Sequence, residues 1–81
     1  MAVNERIRKL FATVLSPAAA SALNDDSSME TVDGWDSQTF VAIVVGIEAE
    51  FGVALSGLEA ARMNSLQAIS DVLSEKGVSL V

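Results

Sequence analysis

The residues best placed to do chemistry in this chain are Gly34-Trp35-Asp36-Ser37, directly before an apolar stretch from Phe40 to Ile47. Asp36 and Ser37 are both favoured at helix caps, so the pattern predicts a serine hydroxyl at the start of a helix. The N-terminus of a helix presents unpaired N–H groups and a partial positive charge. A phosphate group esterified to Ser37 would be stabilised there.

The rest of the composition argues against a reaction catalysed by Ser37. The chain contains no histidine and no cysteine, and its lysines are too few and too distant in sequence to suggest a base for a serine hydrolase. Without thiolate or imidazole ligands, a structural zinc site is excluded. The sequence therefore predicts no catalytic residue and no metal site, but a serine placed to carry a phosphate.

The charge of the chain is strongly asymmetric. The net charge is −6, and after Lys9 only two basic residues, Arg62 and Lys76, stand against ten acidic ones. Nucleic acid and anionic membranes are therefore poor partners, whereas a basic protein surface is a better one; the acidity also favours solubility. The first ten residues have no apolar signal segment, and the longest apolar run, Phe40–Ile47, is far shorter than the roughly 18 residues of a membrane span. We expect one cytoplasmic, monomeric domain over residues 1–81.

Apolar spacing predicts four helices. The first runs from Asn4 to Leu15 and ends before Pro17, because a residue that precedes proline is disfavoured in the α region. A second helix over Ser37–Phe51 would bury Phe40, Val44, Ile47 and Phe51 and stop at Gly52. A short third helix is predicted at Gly57–Arg62. A fourth would be capped by Asn64 with Gln67, bury Leu66, Ile69, Val72 and Leu73, and end at Gly77.

The connection between the first two of these helices is long. Ser16-Pro17 could cap a short turn over Ala18–Leu23, because proline suits a first helical position. The polar residues 24–28 then predict a loop, with Met29 and Val32 anchored in the core. Gly46, inside the second helix, costs about 1 kcal/mol relative to alanine, which indicates a packing reason for it.

Three segments together carry a family resemblance. Asp33-Gly34-Trp35-Asp36-Ser37, then Ile47-Glu48-Ala49-Glu50-Phe51-Gly52-Val53, and then Met63-Asn64-Ser65-Leu66-Gln67 resemble the acyl carrier proteins over nearly the whole chain. The resemblance implies an all-α, four-helix bundle with a short third helix and a long loop between helices one and two. It also implies that a separate phosphopantetheinyl transferase attaches 4′-phosphopantetheine to Ser37.

The resemblance assigns expected roles to the neighbours of Ser37. The thiol of the prosthetic group would hold acyl groups as thioesters for enzymes that load and transfer them, in fatty-acid, polyketide or specialised lipid synthesis. Asp36 would help the transferase to position coenzyme A and magnesium, and the same residue would cap the helix. Gln38 stands where the family usually has leucine, a residue that contacts partners and the arm. Trp35 would either guard the surroundings of the serine or fill the core.

A helical wheel predicts a partner-binding face on the second helix. Small or uncharged residues lie opposite its core face, where the family usually shows carboxylates. We expect partners to dock by close apolar contact rather than by charge steering, although these residues could simply face solvent. The predicted partner-binding residues are Gln38, Ala42, Val45, Glu48 and Ala49, and Gly46 falls on the same side of the wheel.

An acyl chain would lie between the second, third and fourth helices. Its predicted lining is Val41, Ile47, Leu55, Leu58, Met63 and Leu66, each of which could equally be ordinary core. Two alternatives to an acyl carrier share this fold. One is an aminoacyl or peptidyl carrier with the same serine, and the other is a helical interaction subunit that has lost the arm.

Overall fold

The computed structural model describes residues 3–79 and is helical, with no strand in that part of the chain. Its five helices are α1 (Glu5–Val14), α2 (Pro17–Ser21), α3 (Ser37–Phe51), α4 (Gly57–Ala61) and α5 (Leu66–Glu75). The predicted all-α architecture, including a short helix before the last one, is confirmed. The number of helices differs from the prediction, because α2 is an additional short helix within the connection predicted as a turn and a loop.

Local sequence explains α2. The Ser16 hydroxyl accepts a hydrogen bond from the N–H of Ala19 at 3.0 Å, and Pro17 occupies the first turn, where its missing N–H costs nothing. The alanines that follow are strong helix formers. The Arg8 guanidinium donates a hydrogen bond to the carbonyl of Ala20, which ties α2 to α1. The irregular part of the connection is therefore shorter than the sequence predicts.

Backbone hydrogen bonds fix this connection to the C-terminal half. The N–H of Met29 donates to the carbonyl of Asn64 at 3.0 Å, and the N–H of Leu66 donates to the carbonyl of Ser27 at 3.0 Å. Met29 and Val32 pack against the core as predicted. Residues 27–29 are thus held against the residues that lead into α5.

The N-terminal helix begins at Glu5, one residue after the predicted start, with Asn4 as its N-cap. The side chain of Asn4 accepts hydrogen bonds from the N–H groups of Arg6 and Ile7, and the helix buries Ile7 and Phe11. Leu15 follows as the C-cap rather than as a helical residue.

The long helix α3 has the predicted bounds, but its buried face is rotated. Ile43 and Ile47 are its fully buried residues, whereas Phe40, Val44 and Phe51 are half-buried at the edges of the core. Ile43 and Ile47 are four residues apart and lie on one stripe of the helix. The prediction that Ile47 is buried is therefore confirmed. The prediction left out Ile43, which lies at the centre of the buried face.

Close packing between α1 and α3 explains Gly46. A Cβ atom built on Gly46 would lie 2.4 Å from Cδ1 of Leu10, and Cδ2 and Cγ of the same side chain would be at 3.1 and 3.2 Å. The predicted packing reason for this glycine is confirmed. Its predicted place on the outward face is wrong, because Leu10 covers it.

The C-terminal helices complete the core. α4 has a capping box between Ser56 and Glu59. The cap of α5 is Ser65, which accepts from the N–H of Ala68 at 3.1 Å. The predicted cap of Asn64 with Gln67 is therefore wrong, and the amide of Gln67 instead donates to Asp71. The buried residues of α5 are those predicted: Leu66, Ile69, Val72 and Leu73.

Candidate functional site

Ser37 is the first residue of α3 and is exposed. The turn before it passes through Gly34, whose φ of +85° lies in the left-handed region that favours glycine. The hydroxyl of Thr39 donates to the carbonyl of Gly34 at 2.6 Å and accepts from the N–H of Asp36 at 2.9 Å. These two bonds close the turn around Ser37 and fix the position of its backbone.

Asp36 caps the helix more completely than the sequence predicts. Its Oδ1 atom accepts from the N–H groups of Gln38 and Thr39 at 3.0 and 3.1 Å, and its carbonyl accepts from the N–H of Phe40 at 2.8 Å. The prediction of unpaired N–H groups at this helix start is therefore wrong for these three donors. A phosphate on Ser37 would not find them free.

The same hydrogen bonds set the charge of the site. The bonds from the backbone of Thr39 and then of Gln38 lower the pKa of Asp36, because they stabilise the carboxylate. Asp36 is therefore ionised at neutral pH, next to the exposed Ser37 hydroxyl. The exposed hydroxyl and the turn around it would fit a phosphodiester that projects into solvent, as the resemblance implies.

The structure places Trp35 in the core rather than over the serine. Its side chain is 2% exposed, and its ring meets the ring of Phe11 edge to face, with centroids 4.9 Å apart. Its Nε1 atom has no hydrogen-bond partner. Of the two expected roles of Trp35, this burial supports core filling, since almost no surface of the ring remains to cover the serine. Trp35 anchors the turn.

Thr39 is a residue of this turn whose structural role sequence reasoning missed. It completes a capping box with Asp36, in which each residue bonds the backbone of the other. The spacing of an aspartate with a threonine three residues later carried that signal.

The outward face of α3 is neutral. Gln38, Ala42, Val45 and Ala49 are exposed, as the partner-binding prediction requires, and the exposed fractions of Val41 and Val45 are 59% and 57%.

The two carboxylates of α3 are engaged within the chain. Glu48 is half-buried and accepts from the N–H of Leu55 at 2.9 Å. Glu50 pairs with Arg6, with 2.7 Å between Oε2 and Nε, and the Arg6 guanidinium lies 4.4 Å from the ring centroid of Phe51. Glu48 thus braces the segment after α3, and its role in partner binding stays a prediction.

The structure brings together only part of the predicted acyl pocket. Ile47, Met63 and Leu66 are in the core and Leu55 is half-buried. Val41 and Leu58 lie on the surface, with Leu58 83% exposed. These two do not line an enclosed cavity with the other four, and the lining stays a prediction for a loaded state.

Within residues 3–79, no three histidine, cysteine, aspartate or glutamate side chains cluster as a candidate metal site. Over the same residues, no helix has both the length and the apolar character needed to cross a bilayer.

Comparisons with known proteins agree with this geometry. The sequence model of the family described as "Phosphopantetheine attachment site" matches residues 5–73. A protein named "Acyl carrier protein" from Buchnera aphidicola subsp. Schizaphis graminum is 27% identical over 74 residues, which cover 91% of this chain and 92% of that protein. A protein of the same name from Buchnera aphidicola subsp. Acyrthosiphon pisum (strain Tuc7) is 29% identical over 76 residues, 94% of either chain. No solved structure gives a significant match.

The family match covers most of the five-helix fold, including the turn and the exposed serine at the start of α3. The chain therefore belongs to the phosphopantetheine attachment site family as an acyl carrier protein, a family of non-catalytic carriers whose prosthetic group is 4′-phosphopantetheine.

Proposed function

We propose that Ser37 is the residue that carries the 4′-phosphopantetheine arm, and that the thiol of this arm holds acyl groups as thioesters. The observation that carries the proposal is the exposed Ser37 hydroxyl on the first residue of α3, in a turn fixed by Thr39. Enzymes of fatty-acid, polyketide or specialised lipid synthesis would load and unload the thiol.

The chain supplies position rather than reactivity. Without histidine or cysteine it has no base suited to deprotonate the Ser37 hydroxyl near neutral pH. A phosphopantetheinyl transferase must therefore supply that base. The contribution of this chain is an ionised Asp36 beside the hydroxyl, and a backbone that three hydrogen bonds to Asp36 hold in place.

Partners of the carrier are proposed to dock on the outward face of α3 through Gln38, Ala42, Val45 and Ala49. The two glutamates of the helix are already paired with Leu55 and Arg6, so the face offers mainly apolar and neutral surface. Recognition by shape and apolar contact suits such a face, because the face itself presents few charges to a partner.

Mass spectrometry of the intact protein tests the attachment. After co-expression with a broad-specificity transferase, we expect a mass gain of one phosphopantetheine group, which disappears in Ser37→Ala. Ser74→Ala is the matched control, because Ser74 is an exposed serine of α5. No gain with several transferases would favour the armless interaction subunit. Retention of the gain in Ser37→Ala would place the arm on another residue.

A further inference from the structure

Two ion pairs join the short helix α4 to the end of α5. Nζ of Lys76 lies 2.8 Å from Oε1 of Glu59, and the Arg62 guanidinium donates to both carboxylate oxygens of Glu75, at 3.0 and 2.8 Å. Glu59 lies in α4 and Arg62 is its C-cap. Glu75 is the last residue of α5 and Lys76 is its C-cap. These four residues are termed the α4–α5 clasp.

The clasp takes up charges that are scarce in this chain. Arg62 and Lys76 are the only basic residues after residue 9, and both of them bridge the same two helices. The hydrogen bond to Glu75 and the charge of this residue raise the pKa of Arg62. The carboxylates of Asp71 and Glu59 also favour the charged guanidinium, so the two pairs belong to one network.

Little else holds α4 in place. None of its five residues is buried, and Leu58 is 83% exposed. Segments with few buried apolar contacts open at a lower free energy than the rest of a fold. The residues that flank α4 differ from it, because Met63 is fully buried and Leu55 is half-buried. Outward motion of α4 would therefore uncover the core at the predicted acyl pocket.

We propose that the α4–α5 clasp controls whether the acyl group is buried in the core or stays exposed on its arm. The proposal rests on the proposed function, since the acyl group must be carried at Ser37. Ile47 and Met63 have no exposed surface, so room for an acyl chain requires an element to move. Among the helices of the described residues, α4 is the one without a buried residue. The clasp opposes its motion and so favours cargo that stays outside the core, ready for delivery.

Hydrogen exchange on the unloaded protein measures the opening of α4. The reporters are the backbone N–H groups of Ala60 and Met63, which donate to the carbonyls of Ser56 and Ala60 at 2.9 and 3.0 Å. Ile69 of α5 is fully buried and reports on unfolding of the whole domain. The three rates are compared after correction for the intrinsic exchange rate of each sequence.

The double variant Arg62→Gln/Lys76→Gln removes both ion pairs. Arg6→Gln is the matched control, because the pair of Arg6 with Glu50 is also about half exposed and joins two other helices, α1 and α3. Helix content by circular dichroism verifies folding. If the double variant unfolds, Glu75→Gln replaces it, since this change breaks only the pair with Arg62.

We expect exchange at Ala60 and Met63 to be about three- to tenfold faster in the double variant, as the combined effect of two exposed ion pairs. Arg6→Gln should leave both rates unchanged. Raising the ionic strength from about 0.01 to 0.5 M should speed exchange of α4 in the unmodified chain but not in the double variant, because salt screens exposed pairs. Unchanged exchange in α4, or an equal acceleration at Ile69, would overturn the proposal.

A loaded carrier tests the effect of the clasp on the cargo. Each chain receives an octanoyl-pantetheine arm, loading is verified by intact mass, and the rate of thioester cleavage by hydroxylamine is measured. If the acyl group of the unmodified chain is buried for about a tenth of the time, a tenfold shift towards the open form buries it for about half of the time. Cleavage should then be about twofold slower in the double variant and unchanged in Arg6→Gln.

The outcomes separate this inference from the proposed function. Equal cleavage rates in all three chains, or faster cleavage in the double variant, would show that the clasp does not control burial of the acyl group. Failure to load the unmodified chain would instead contradict the proposed function. Hydrogen exchange of the unloaded chain tests the opening of α4 in either case.

Discussion

Replacing Gly46 with alanine tests how closely α1 and α3 approach each other. In the interior of an exposed helix this change stabilises the protein by about 1 kcal/mol, because alanine has the better helix propensity. Here the new methyl group would lie 2.4 Å from Cδ1 of Leu10, with Cδ2 and Cγ also within 3.2 Å. The 2.4 Å contact is an overlap and the other two are tight, so the Leu10 side chain as a whole must shift to make room.

The overlap decides the sign of the effect. Overpacking of this kind costs about 1–3 kcal/mol, and the middle of that range exceeds the gain of about 1 kcal/mol from helix propensity. We expect Gly46→Ala to lower the free energy of unfolding by about 1 kcal/mol as the difference between these two terms. In a Leu10→Ala background the overlap is gone, and the same change should then raise the free energy of unfolding by about 1 kcal/mol.

Urea unfolding followed by circular dichroism measures all four members of this double-mutant cycle. Gly57→Ala is the control, because a Cβ there meets no atom within 4 Å, and we expect no loss of stability from it. A stability gain for Gly46→Ala in the unmodified background would refute the close approach. An equal effect in both backgrounds would show that Leu10 is not the residue responsible.

Two further predictions concern the start and the outward face of α3. The pKa of Asp36 is lowered, mainly because the backbone N–H of Thr39 donates to its carboxylate. The ionised carboxylate therefore stabilises the fold at any pH above its unfolded pKa of about 3.9. This contribution is lost as the pH falls through the lower pKa of the folded state. The stability advantage over Asp36→Asn, measured by thermal unfolding, should therefore be constant near neutrality and shrink below about pH 4; an advantage that grows on acidification would contradict this sign. If partners dock on the neutral face of α3, the association rate with a cognate enzyme should change less than about twofold between ionic strengths of about 0.01 and 0.15 M. Val45→Glu should lower this association rate, whereas Ser74→Glu on α5 should not. A steep fall with salt would show that charge steers docking.

Most of the fold follows from local sequence signals. The bounds of α3 are set by the cap at Asp36 and by Gly52, whose φ is +66°, and both residues carry these preferences in any protein. The short helix α2 was harder to predict, because a five-residue helix has little periodicity and depends on its cap and on the bond from Arg8.

The site was less predictable where it depends on distant residues. The exposed position of Ser37 follows from its neighbours in the sequence. The pairing of Glu50 with Arg6, 44 residues away, and the cover that Leu10 places on Gly46 both depend on how α1 packs against α3. A helical wheel drawn for one helix contains no information on the helix that covers it, and so Gly46 was assigned to the wrong face.

The edge-to-face contact between Trp35 and Phe11 has a consequence for the proposed attachment of an arm at Ser37. It fixes the backbone two residues before Ser37 to the N-terminal helix. Motion of a thiol attached at Ser37 would then come from the bonds of its own linker, while the protein surface around the anchor keeps one shape. An enzyme that binds this surface would therefore hold the attachment point in a fixed position. Only the linker would then have to move to bring the thiol to that enzyme's active site.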